Sequence, residues 1–176
     1  MIDDLRYPIG RFARPAQPLD AGARAEAIAA IAACPGALRE AVRGLDDARL
    51  DTPYRPGGWT VRQVTHHVPD SHLNAYVRFK LALTENRPTI KPYEEDRWAQ
   101  LPDTVRTPVA TSLVLLDALH ERWVTLLGAM GADDFARELV HPESGAMRLY
   151  DMLALYAWHG RHHVAHVTRL RERSGW

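Results

Sequence analysis

The sequence is poor in cysteine. Cys34 stands alone among 176 residues, which excludes an internal disulfide and any CxxC metal site and fits a reducing compartment. It also lacks an excess of either charge: 22 Lys plus Arg offset 22 Asp plus Glu. Nucleic-acid binders and polybasic membrane-surface proteins carry a basic excess, so neither partner is expected. No apolar run approaches the ~20 residues of a membrane span. The opening MIDDLRYPIG has no charged-then-apolar leader pattern, so the expected location is the cytoplasm. The nucleotide-binding GxxxxGK(S/T) and GxGxxG loops are missing, as are the GxSxG elbow and the two Glu-x-x-His motifs of a di-iron bundle.

What the chain does have is helical periodicity and histidine. Residues 1–20 hold Pro8, Pro15 and Pro18 and read as an extended arm laid over the surface or over a partner subunit. Ala21 to Val42 is alanine-rich with periodic Ile28, Ile31, Leu38 and Val42, a helix bent where Cys34-Pro35-Gly36 interrupts it. Leu45 to Gly58 reads as loop and turn. A second helix starts at Thr60, where Thr60 and Gln63 make a capping box, and runs to about Thr84 with a kink at Pro69. Residues 85–108 read as an irregular connection with a short helix around Asp96–Leu101. A third helix spans about Thr111 to Met130. Turns follow at Gly131–Asp134 and at His141–Gly145, the latter able to close a small hairpin. The fourth helix runs from about Leu149 to Arg173, with Arg169, Arg171 and Arg173 in its last turns before Gly175. The expectation is one all-α domain over residues 1–176, a four-helix bundle with long crossover loops.

Seven of the nine histidines fall in two windows, His66, His67 and His72 on the second helix and His159, His162, His163 and His166 on the fourth. His120 and His141 are isolated. At ~100° per residue, Met152, Tyr156, His159, His163, His166 and Leu170 fall within roughly 80° of one another. They form the core-facing seam of the fourth helix. His159 and His163 are at i and i+4, the spacing by which HExxH helices bring two imidazoles to one zinc. On the second helix Val61, Val64, Val68, Ala75 and Phe79 define the apolar face. His67 borders it, in a lane with Ser71, Asn74 and Arg78, whereas His66 points a further ~100° away. His67 is therefore the third inward histidine. Three neutral imidazoles at ~2.0–2.1 Å plus water in an open position make a standard catalytic metal arrangement, and burying three such rings together is costly without an ion. Asp70, just beyond His67, reads either as a general base or as a solvent-facing helix carboxylate. Arg78 reads as an outer-face ion-pairing residue, with capture of a substrate carboxylate as the alternative. His166 can fix a neighbouring ligand through its ring N–H. His66 and His162 read as surface or packing residues, Trp59 as a hydrophobic staple on the Thr60 cap and Cys34 as inert packing.

Four segments carry a resemblance. They are Tyr7-Pro8-Ile9-Gly10, Leu50-Asp51-Thr52-Pro53-Tyr54-Arg55, Gly57-Gly58-Trp59-Thr60-Val61-Arg62-Gln63-Val64 with His66-His67, and Leu155-Tyr156-x-Trp158-His159-x2-His162-His163-x2-His166. Together they resemble the DinB-like superfamily, and within it the YfiT-type metal-dependent hydrolases. The resemblance implies a four-helix bundle of unusual connection order, a homodimer, and one divalent ion, zinc or nickel, on His67, His159 and His163, the same trio that facial geometry selects. It implies hydrolysis of a small-molecule substrate. The alternatives are transfer of a low-molecular-weight bacterial thiol, of bacillithiol or mycothiol type, and a non-catalytic metal-binding stress-response module. The chain departs from YfiT-like sequences at Val68-Pro69, where they usually carry Leu-Ala.

Overall fold

A computed structural model describes residues 5–176; the first four residues of the expected arm lie outside the described part. The four long helices are α1 (Ala21–Val42), α3 (Val61–Thr84), α6 (Val109–Ala129) and α8 (Leu149–Ser174). Their ends follow local chemistry. Asp20 accepts from the Ala23 N–H at 2.8 Å to start α1. The Thr60/Gln63 capping box starts α3, with bonds of 2.9 and 3.1 Å. Gly175 ends α8 at φ +69°, a left-handed turn that glycine takes without strain.

The helices form a ring in which α1 lies against α8 and α6, and α3 lies against α6 and α8. Two consecutive helices, α1 and α3, are thus diagonal neighbours, and so are α6 and α8. A diagonal step has to pass over the end of the bundle, so both connections are long. The first contains the short helix α2 (Asp47–Leu50) and the second contains α7 (Ala132–Ala136) and an antiparallel hairpin of β1 (Glu138–His141) and β2 (Gly145–Arg148). The α3–α6 connection is not one irregular stretch with a helix at Asp96–Leu101. It carries two single-turn helices, α4 (Glu95–Trp98) and α5 (Pro102–Arg106). It also pairs with β1, where Ile90 N–H donates to Val140 O and Val140 N–H to Pro88 O. Pro35 and Pro69 lie inside continuous helices, so neither ends its element as an interior proline often does. The N-terminal arm runs back along α8. His166 donates to Arg6 O, Trp158 donates to Gly10 O, and Arg14 meets the buried Asp151 carboxylate at 2.5 Å.

The apolar core is split in two along the bundle axis. One half gathers Ile31, Phe79, Trp123, Leu127, Leu149 and Leu153. The other gathers Leu38, Val61, Val64, Val68, Leu116 and Val167. Between them lie polar or small residues, His67, Ser71 and His72 from α3, His120 from α6, and His159, Gly160 and His163 from α8, with Cys34 of α1 at the edge of the second half packed against them. At this waist α1 and α8 approach so closely that a Cβ on Gly160 would lie 2.7 Å from Cys34 Sγ and 3.2 Å from Cys34 Cβ. Overpacking costs about 1–3 kcal/mol, and alanine's better helix propensity returns about 1 kcal/mol. Gly160→Ala is therefore expected to lower stability by up to about 2 kcal/mol, and Cys34→Ala in the same chain to recover part of it. Urea denaturation reads both; a Gly160→Ala midpoint at or above that of the parent protein would refute the close contact.

Candidate metal centre

The waist holds the three predicted ligands. His159 and His163 are one turn apart on α8, with ring centroids 4.4 Å apart. His67 faces them from α3, its ring 5.4 Å from His159 and 4.8 Å from His163. One nitrogen of each lies within 4.8 Å of the others. His67 Nε2 and His159 Nε2 are 3.4 Å apart. Two ligands at ~2.0–2.1 Å from one ion, at a tetrahedral angle, sit about 3.3 Å apart, so this pair already has the spacing of a metal-binding pair. Burial pushes the His67 imidazolium down to about 3, with His166 adding to it. Burial likewise holds His159 and His163 well below the usual histidine value, and the neighbouring imidazoles lower them further. All three are neutral, the form that ligates. The donor set therefore fits a divalent cation. Among the described residues, no fourth His, Cys or carboxylate joins the trio.

His166 sits behind His163, stacked on Tyr54 at 3.9 Å. A carbonyl can only accept, so His166 donates its Nε2–H to Arg6 O at 3.0 Å. The neutral ring then has its lone pair on Nδ1, which lies 3.4 Å from His163 Nδ1. His163 fills the donor role there and keeps Nε2 as its lone-pair nitrogen.

A cavity of about 390 Å³ opens onto the trio, walled by Trp59, Trp158, Arg55, Glu95 and Asp96. A second, of about 630 Å³, shares His159, Glu95 and Asp96 with it and adds Ser71, Arg78 and Tyr93. Trp59 does pack against the core half that contains Val64, as a staple would. It is also a cavity wall, its ring 4.6 Å from His67 and its Nε1–H donated to Asp96 at 3.1 Å. Asp70 lines neither cavity. It is half-buried beside Asp103, and burial, with that neighbour, raises its carboxyl to about 6. The cavity carboxyl that is raised is Glu95, which keeps solvent access but is partly desolvated by the cavity wall, with Asp96 and Glu143 contributing. Arg78 lines the second cavity and donates to Lys91 O, and among the described residues no carboxylate pairs with it.

Of the two readings open for His66 and His162, surface or packing, the structure shows packing for both. His66 is buried, its Nδ1 2.7 Å from Ser112 Oγ, because α6 covers the side of α3 opposite His67. His162 is buried too, stacked on Trp158 at 4.3 Å in the cavity wall. Sequence reasoning also passed over His72 and His120, which are 0% and 2% exposed directly behind His159. The signal was present. His72 lies four residues after Val68 and three before Ala75, on the apolar face of α3, and His120 lies between Leu116 and Trp123 on the seam of α6.

The chain matches the DinB superfamily model over residues 30–167. A protein of Bacillus cereus strain B4264, named "Putative metal-dependent hydrolase", is 54% identical over 175 residues, 99% of this chain and 100% of that one. A protein of Bacillus thuringiensis subsp. konkukian, similarly named, is 53% identical with the same coverage. Among solved structures, YfiT from Bacillus subtilis, described as "a probable metal-dependent hydrolase with an unusual four-helix bundle topology", superposes with a TM-score of 0.95. It is 44% identical and the match covers 98% of this chain and 99% of that one. The four-helix bundle protein TT2238 superposes with a TM-score of 0.56 at 23% identity, covering 80% and 94% of the two chains, a likeness of fold alone.

Proposed function

The chain belongs to the DinB superfamily, and on that premise we propose that it is a metal-dependent hydrolase of a small molecule, with one divalent ion, zinc or nickel, held by His67, His159 and His163. The observation that carries the reading is the trio itself: three neutral imidazoles with converging nitrogens at the floor of an open cavity. Structural zinc sites are closed by four protein ligands, whereas catalytic ones keep a position open. When bound, such an ion supplies Lewis acidity, polarising a scissile carbonyl or acidifying water.

The chain's own residues supply the rest. His166, anchored on Arg6 O, orients His163 so that Nε2 faces the site. Trp59 and Trp158 wall the cavity. Glu95 is the general base in this reading, in place of Asp70, because it lines both cavities and its carboxyl is raised from the ordinary carboxylate range. The homodimer and the cytoplasmic setting belong to the same reading through the family.

The test pairs elemental analysis of the purified protein with two activity screens, one of esters and amides and one of a bacterial thiol with a monohalobimane. We expect one zinc or nickel per chain and hydrolysis in the first screen. Glu95→Gln should keep the metal and lose about 10²–10⁴-fold in kcat. Conjugation in the second screen without hydrolysis in the first would replace this reading with thiol transfer. A metal-loaded protein inactive in both would favour a non-catalytic module.

A further inference from the structure

We propose that His72 and His120 are positioning residues that fix the ring tautomer of the ligand His159 through a hydrogen-bonded relay ending on the backbone carbonyl of Ile31. The inference rests on His159 being a metal ligand, but the relay itself is a property of the metal-free chain.

The relay is read from its closed end. Pro35 lies four residues after Ile31 inside α1 and has no N–H, so the Ile31 carbonyl has no helical donor. Ring nitrogen Nδ1 of His120, from α6, lies 2.8 Å from that oxygen. A carbonyl only accepts, so the proton is on His120 Nδ1, and the neutral ring has its lone pair on Nε2. His120 Nε2 is 2.8 Å from His72 Nδ1, so His72 donates there and keeps its own lone pair on Nε2. His72 Nε2 is 3.1 Å from His159 Nδ1, so His159 donates in turn. One nitrogen of His159 is left with a lone pair, Nε2, the atom 3.4 Å from His67 Nε2 at the cavity floor. Each of the four long helices contributes one member, and no step needs a charged ring. Burial, which lowers all three imidazoles, keeps them neutral.

The arrangement gives the interior proline of α1 a purpose. It exposes a carbonyl that a buried imidazole can use, which satisfies both polar groups and sets the hydrogen-bond direction for the whole waist. A ligand whose tautomer and ring angle are preset binds metal without first reorganising.

Cys34, His72 and His120 also bring one donor atom each within 4.8 Å of one another. That group is better described as a supporting layer than as a second metal site. Every nitrogen of both rings is already committed to a hydrogen bond, and burial pushes the Cys34 thiol up to about 12, far from the thiolate a metal needs.

The experiment is nitrogen-15 NMR of the metal-free protein with labelled histidine, followed by zinc titration of variants. The expected spectrum shows His120, His72 and His159 all as Nδ1–H tautomers, the less populated form of free histidine. His159 as the Nε2–H tautomer in the folded protein would overturn the proposal, even if no variant could be made. His72→Phe should lose the His159 tautomer preference and weaken zinc binding by about 10–100-fold. His72→Gln, whose amide oxygen can take the place of Nε2, should regain most of both. Equal zinc affinity in His72→Phe and the parent would refute the positioning role. A second equivalent of zinc that disappears with Cys34→Ala would refute the relay in favour of a metal site. If the parent protein binds no zinc at all, the metal-dependent reading fails, while the tautomer spectrum still decides the relay.

Discussion

His163→Ala should abolish stoichiometric metal binding while leaving the helical fold largely intact. The ring supplies one of only three donors in the group, so its loss leaves two imidazoles, and the affinity should fall by more than the ~10–100-fold that removal of a supporting partner costs. The cost to the fold is smaller. His163 is 8% exposed and faces the cavity as well as the core. Truncation leaves His166 Nδ1 without its partner, worth about 1–3 kcal/mol, but touches no capping residue and neither half of the apolar core. Elemental analysis of the purified variant measures the first effect and thermal unfolding by circular dichroism the second. Full metal retention would remove His163 from the site, and with it the assignment of the trio. Asp70→Asn, by contrast, should keep its metal, because Asp70 lines neither cavity.

The trio that converges at the waist was legible in the sequence because its members lie on continuous helices, where angular position follows from residue number alone. His159 and His163 share a face at i and i+4, and His67 borders the apolar face of α3. The bundle was legible for the same reason. The order of its helices was not, since nothing in the periodicity of α1 or α3 says that they lie across a diagonal. The lengths of the connections do not say so either, since the longest of them joins the adjacent helices α3 and α6. Whether His66 lay at the surface or packed inside was not legible, because periodicity marks a helix's own apolar face but not what covers its other sides, and α6 reaches over to give His66 a buried partner in Ser112. Asp70 and Glu95 were exchanged for a related reason. Asp70 is near His67 in sequence and turned toward Asp103, whereas Glu95 is far away in sequence and is brought to the cavity by a single-turn helix whose four residues carry no readable period. His72 and His120 were passed over although they sit on apolar faces. Their function depends on a proline on another helix.

Acid should unfold the metal-free protein between about pH 6.5 and pH 4, far above the range where a bundle stabilised by ordinary carboxylate pairs gives way. Burial lowers His67 and His162 to about 3 and His166 to about 4, and holds His72, His159 and His163 well below their ordinary value of 6.5. Below pH 6.5 the unfolded chain takes up protons on these rings and the folded chain does not. Stability is therefore complete above 6.5 and falls as the pH drops toward the folded-state values. Each ring contributes a slope of up to about 1.4 kcal/mol per pH unit, so six together approach about 8 kcal/mol per unit. A domain is typically worth about 5–15 kcal/mol in all, so one to two pH units exhaust it. Asp70, raised to about 6, and Glu95, also raised, act in the opposite direction, two carboxyls against six rings. Ellipticity and tryptophan fluorescence followed against pH should show a cooperative loss centred near pH 5. One equivalent of zinc should move that midpoint downward, because protons must then displace the ion from three of the six rings. A metal-free protein that keeps its full urea stability from pH 6.5 down to 4.5 would mean that these imidazoles are hydrated and not buried at the waist. The close packing between the two core halves would then be wrong along with the prediction.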